Sequence, residues 1–283
     1  MRVKRNDIGG LLNSPPPAPE MRKMSGREIA AQNELAVLMV IRDYGHLRTA
    51  EIASAVWPTA RYPEQLAQRT LRRLLAKGEV LQRVNAIASV SWVLASAGVT
   101  RLELFGGNAT HGRDIVGVAG ATFVHRTLAS AFLIRQSSVN GSFAIGEYGI
   151  AHGRAPATRQ VLSKRIGKLP DGHVMRGNAV DWIEVEASAK PLSDLKAVLK
   201  AAEWVGLPLV PEKPYRLSRL LIVFDKRQGH GRRILKAARE LWGHLPRSEQ
   251  HRLQERIILA QADVSTPLKI FGFSETRLSD YQP

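Results

Sequence analysis

Three acidic side chains lie close together in the middle of this chain. Asp171 follows Pro170, Glu184 and Glu186 flank Val185, and Lys190 stands four positions further on. Carboxylates in such a group suit a hard divalent cation, because Mg²⁺ takes oxygen ligands and keeps several waters beside one or two carboxylates. An ion held there polarises a phosphoryl oxygen and generates hydroxide from bound water, which is the chemistry of phosphodiester hydrolysis. Glu184 and Glu186 are two apart, so an extended strand points both to one face, together with Trp182. Ile183, Val185 and Ala187 then face the core. Asp171, at the start of the preceding strand, is expected to meet Glu184 across a hairpin. A plainer reading stays open, since apolar/acidic alternation describes a half-exposed strand and Pro-Asp begins many turns.

The rest of the chain must position these groups. Of 283 residues, 44% are hydrophobic, and 41 Lys+Arg against 25 Asp+Glu give a net charge of +16. The length predicts two domains and the charge predicts a polyanionic partner. The absence of cysteine excludes disulfides, thiolate zinc sites and cysteine nucleophiles, and suits a reducing, cytoplasmic and nucleoid-associated location. No apolar run is long enough to span a membrane. The first 27 residues are basic and carry Pro15, Pro16 and Pro17, so they read as a disordered arm without the apolar segment of a signal peptide.

Residues 28–105 read as three helices and a hairpin. On the first, Ile29, Leu35, Leu38, Met39 and Ile41 share an apolar face, and Gly45 ends it. Thr49 caps the second and Pro58 stops it. The third runs from Pro63 to Gly78, with Leu71, Leu74 and Leu75 inward and Gln65, Gln68, Arg69 and Arg72 along the opposite stripe, beside Arg73. Two β-prone runs follow, "EVLQRVN" and "SVSWVLASAG". This order looks like a winged helix-turn-helix of bacterial regulators, whose third helix would set its Gln and Arg side chains against base edges in double-stranded DNA. A solvated Arg/Gln face is the alternative.

Residues 106–122 are glycine-rich and read as a linker; they lack both the phosphate-loop pattern and the dinucleotide fingerprint. From 123 to 283 the pattern alternates in the order α-β-β-α-β-α-β, predicting a mixed sheet flanked by helices. "TFVHRTLASAFLIRQSS" and "SDLKAVLKAAEWVG" are helices, the second capped by Ser193, and "RLLIVFD" is a buried strand. "ERIILAQADV" could be strand or helix, and its β-branched pair favours strand. Lys164, Arg165 and Lys168, just before Asp171, and Arg232 and Arg233, at a helix start, are candidate phosphate contacts. His111, His125, His152, His173, His230, His244 and His251 show no paired metal-ligand spacing; His173 reads as a surface residue. No Gly-x-Ser-x-Gly elbow is present.

The succession "VHRTLA", "GE", "LPDGHV" and "IEVEAS" resembles the PD-(D/E)xK nuclease superfamily, whose restriction-endonuclease-like core is αβββαβ. With the winged helix ahead of it, the chain is similar over residues 28–225 to the replication-relaxation family of plasmids and other mobile elements. The resemblance implies that Asp171 is the Asp of the Pro-Asp motif, that Glu184 is the (D/E) position and that Glu147 is the acidic residue near the first helix. Asp171, Glu184, Glu186 and Glu147 would then hold Mg²⁺ or Mn²⁺. Glu186 stands where a lysine is expected, a place that Lys190, Lys196 or Lys200 would have to fill, with Lys190 as catalytic base or phosphate ligand. The implied function is a metal-dependent DNA endonuclease or nickase in mobile-element replication or transfer, with mobile-element proteins as further partners. Winged helices often read paired half-sites, which allows a homodimer, although no segment carries a dimerisation signature. The alternative is a non-enzymatic DNA-binding accessory factor on a degenerate nuclease fold.

Overall fold

Ser25 starts the first helix by a reciprocal cap: its hydroxyl accepts from the Glu28 amide (3.3 Å) while Glu28 accepts from the Ser25 amide (2.7 Å). Helix α1 (Gly26–Tyr44) therefore begins before the expected boundary at residue 28. The computed structural model describes residues 24–85, 87–110, 120–139, 141–266 and 268–282. Most of the basic, proline-rich arm lies outside the described residues, as do His111 and Gly117 of the expected linker.

Helices α2 (Thr49–Val56) and α3 (Pro63–Ala76) follow, then the antiparallel hairpin β1 (Val80–Val84) and β2 (Val90–Leu94), and α4 (Ser96–Leu104). Val37, Leu38, Ile41, Ile52, Leu71, Leu74 and Trp92 close one apolar core between them. Each fully buried aliphatic side chain there contributes about 1.5–3 kcal/mol. Three expectations for these faces need correcting. Ile29, Met39 and Leu75 are exposed, because the buried stripe runs through Glu34, Val37, Leu38 and Ile41 on α1 and through Ala67, Thr70, Leu71 and Leu74 on α3. Thr49 does not cap α2; Arg48 holds that position, and the Thr49 hydroxyl accepts from the Trp92 indole at 3.0 Å.

The second half holds α5 (Gly120–Ser137), β3 (Ser142–Gly146), α6 (Glu147–Ala151), α7 (Arg159–Ile166), β4 (Gly172–Arg176), β5 (Ala179–Glu186), α8 (Leu192–Leu199), β6 (Arg216–Asp225), α9 (His230–Trp242), α10 (Arg247–Glu255), β7 (Ile257–Ser265) and β8 (Lys269–Arg277). The six strands form one mixed sheet in sequential order. β3, β4 and β5 are antiparallel, β5, β6 and β7 are parallel, and β8 returns antiparallel to β7. The chain is thus mixed α/β, as expected. The short helices α6, α7 and α10 and the strands β4 and β8 add to the expected order. α5 starts at Gly120, inside the expected linker, and Ser193 lies within the first turn of α8, whose cap is Pro191.

The sheet is covered on both faces. Trp182, Leu220, Ile222 and Phe224 pack under α8 and α9, and Ile183, Val185, Leu221 and Val223 pack under α5. β5 is consequently buried from Val180 to Glu186, which overturns the half-exposed strand. An apolar/acidic alternation here marks a central strand with acids at its carboxyl end, where open parallel sheets leave a crevice. Two glycines set the approach to that end. Gly177, at φ 58°, turns β4 into β5 through a two-residue loop. Gly172 lets α5 close on β4, since a Cβ there would sit 2.6 Å from Leu133.

Candidate active site

Asp171 is delivered by the turn that leaves α7 through Gly167, left-handed at φ 78°, and it sits just ahead of β4. Its amide donates to the Ile183 carbonyl and its Oδ2 accepts from the Val185 amide at 2.7 Å, which clamps the carboxylate against β5. Its Oδ1 lies 2.9 Å from His125 Nε2, on the first half of α5. Burial works against charge on Asp171, but His125, the Val185 amide and Lys190 outweigh it and hold the carboxyl below the usual range. For His125 burial likewise opposes the proton, and the Asp171 carboxylate prevails and raises its pKa. The two form an ion pair whenever His125 carries its second proton.

Glu184 and Glu186 follow on the same face of β5 as Trp182, as expected, and both are 1% exposed. Trp182 Nε1 donates to Glu184 Oε1 at 2.8 Å and Lys168 Nζ to Glu184 Oε2 at 2.6 Å. Burial, joined by the charge of Asp171, still pushes Glu184 up to about 7 despite Lys168 and Trp182. Glu186 is raised by burial, against Lys190, whose Nζ donates to Glu186 Oε1 at 3.0 Å. The second oxygen, Glu186 Oε2, is buried with no hydrogen-bond partner among the described residues. Three carboxylates thus face two lysines and a histidine, with one oxygen left over among the described residues.

Sequence spacing missed His125 and the carboxylate that Lys168 pairs with. His125 lacks any local motif because its partner lies 46 positions away and meets it only when α5 packs on β4. Lys168, expected on phosphate, is instead half-buried on Glu184. His173 is fully buried rather than on the surface, edge-on to Trp182, and burial lowers its pKa to about 4. Glu147 opens α6 with an exposed side chain. It meets Asp171 through its backbone amide, 2.9 Å from the Asp171 carbonyl, and lines with Asp171, His125 and Tyr44 a cavity of about 30 Å³, roughly one water in size. Among the described residues no three His, Asp or Glu side chains are gathered tightly enough to hold a metal ion as they stand.

The expected DNA-contacting residues divide. Gln65, Gln68, Arg69 and Arg72 are exposed along α3, and Lys164 on α7 and Arg232 on α9 are exposed as well. Arg73 pairs with buried Glu34 at 3.1 Å. Arg165 donates to the Pro208 and Leu209 carbonyls and stacks on Trp204. Arg233 donates to the Lys190 carbonyl, which ties α9 to the site. Arg73, Arg165 and Arg233 therefore hold the fold together instead of presenting a free charge. Lys190 occupies the site as expected, whereas Lys196 pairs with Glu240 at 2.8 Å and Lys200 is exposed.

No helix among the described residues is long and apolar enough to cross a membrane. Compared with protein-family models, with curated proteins and with solved structures, the chain has no match in any of the three.

Proposed function

We propose that this chain is a metal-dependent DNA endonuclease or nickase, with a winged helix-turn-helix ahead of a restriction-endonuclease-like domain. One observation carries the reading. Asp171 is clamped by the Val185 amide against the carboxyl end of the central strand that carries Glu184 and Glu186, both deeply buried, and Glu186 keeps an oxygen with no partner among the described residues. Burying carboxylates is costly unless something positive compensates them. The order α5-β3-β4-β5-α8-β6, with its antiparallel strands and parallel last pair, agrees with the αβββαβ core implied by the resemblance.

The donors are hard oxygens and fit Mg²⁺ or Mn²⁺, with Asp171, Glu184 and Glu186 as the residues that would hold the ion. When bound, it would polarise the phosphate and activate water. Asp171 is oriented by the Val185 amide and His125. Trp182 fixes the rotamer of Glu184, and Lys190, held through its carbonyl by Arg233, keeps Glu186 in place. The exposed α3 stripe, with Lys164 and Arg232, would supply the phosphate and base contacts that bring double-stranded DNA to this end of the sheet. A role in mobile-element replication or transfer, alongside the proteins of such elements, rests on the resemblance alone.

A second reading has its own observation. Apart from Glu186 Oε2, every carboxylate oxygen of the site already has a partner within the chain, which suits an accessory factor that binds DNA and cuts nothing. Supercoiled plasmid separates the two when incubated with wild type and with Asp171→Ala/Glu184→Ala in Mg²⁺, Mn²⁺ or EDTA. The enzyme is expected to nick in metal only, with the double variant at least ~100-fold slower. If both proteins retard DNA and neither cuts it in any metal, the accessory reading stands.

A further inference from the structure

Resting on the nuclease reading, the geometry points to Lys168 as a further catalytic residue, the ammonium that balances charge on the attacked phosphate. The turn between Gly167 and β4 delivers Lys168 and Asp171 together, three residues apart, so one loop brings a cation and a carboxylate to the same place. Lys168 Nζ stands 2.6 Å from Glu184 Oε2, while Glu184 Oε1 is taken by Trp182. Its side chain is 27% exposed, much as that of Lys190 is at 26%, so the contacts and not the exposure separate the two lysines. Lys190 is placed differently. It follows the end of β5, spends its Nζ on Glu186 Oε1 and the Val185 carbonyl, and is anchored through its own carbonyl by Arg233. Lys190 is thereby a positioning residue for Glu186, and Lys168 is the cation free to exchange its carboxylate for an incoming phosphate.

Lys168 passes no proton in this step. The water oxygen bonds to phosphorus as its proton passes to solvent. The bond from phosphorus to the sugar oxygen breaks, and that oxygen takes a proton from solvent. Negative charge grows on the phosphoryl oxygens meanwhile, where the Lys168 ammonium, once turned from Glu184 to the phosphate, stabilises it.

Because Lys168 also neutralises Glu184, removing it has two effects of opposite sign. In full-length Lys168→Met the nicking rate at saturating Mn²⁺ should fall at least ~100-fold. Mn²⁺ binding, measured by calorimetry without DNA, should be unchanged or tighter, because Glu184 loses a competitor. Lys168→Arg should recover part of the rate. Wild-type nicking by Lys168→Met, or Mn²⁺ binding lost together with nicking, overturns the proposal and leaves the nuclease reading intact. A wild type that binds DNA and nicks nothing overturns both.

Discussion

Two buried acidic groups on β5 have opposite surroundings. At one end, Asp181 is 2% exposed and saturated: Arg176 reaches its Oδ2 at 2.5 Å, and Arg219 reaches Oδ2 at 2.6 Å and Oδ1 at 3.2 Å. Arg176 is in turn braced by Gln136 on α5, and Gln136 by Glu275 on β8. Planar guanidinium groups, each carrying several donors, fix this acid and tie four elements together. At the other end, three residues along, Glu184 is matched by a lysine and an indole, stands near Asp171, and is pushed up to about 7. The first arrangement completes a buried charge. The second leaves it only partly compensated, as is common where a site awaits a ligand. Proximity in sequence and equal burial therefore say little about role; the partners decide it.

The contrast predicts opposite outcomes for similar substitutions. Asp181→Ala should cost about 3 kcal/mol in denaturant unfolding, because it leaves two arginines with lost partners, and a loss below 1 kcal/mol would break the comparison. A buried neutral histidine provides the next effect. His173 titrates near 6.5 unfolded and about 4 folded, so the unfolded chain binds the extra proton. Its contribution is intact above pH 6.5 and lost as pH falls toward 4, worth about 3 kcal/mol at the acid limit. His173→Asn should flatten that part of the stability–pH profile. Glu184→Gln in metal-free buffer should change stability by under ~1 kcal/mol or raise it, since it removes a charge that burial and Asp171 both oppose. A loss as large as that of Asp181→Ala would place Glu184 with the structural acids. The smallest effects belong to the surface: Arg69→Ala and Arg72→Ala should each reduce the salt slope of DNA binding by about 1 with little change in melting temperature.

Local rules reached the elements whose ends are punctuated, such as α3 between Pro63 and Gly78, and the strand that carries Glu184 and Glu186. The Ser25–Glu28 cap was equally local, yet sat within what read as a basic arm. Burial of β5 on both faces was not legible, because its second cover comes from α8 and α9, which follow it in the chain. The carboxylate partners of His125 and Lys168 were hidden for a related reason: each residue was read against its own neighbours, and only α5 packing on Gly172, or the turn after Gly167, reveals the pairing. A mixed sheet was expected from the alternation of elements, whereas which strands run antiparallel is a property of the sheet and of no single segment.

Lys168, Asp171, Glu184, Glu186 and Lys190 all belong to one stretch folded about the two-residue loop at Gly177, which lies at the far end of β4 and β5 from all of them. Side chains alternate across a strand, so pairing displaced by one residue would turn Glu184 and Glu186 toward α5 and bring Ile183 and Val185 under α9. A single inserted codon at this loop should thus erase the site while sparing every residue in it, which makes the hairpin tip, remote from the chemistry, its most economical point of failure.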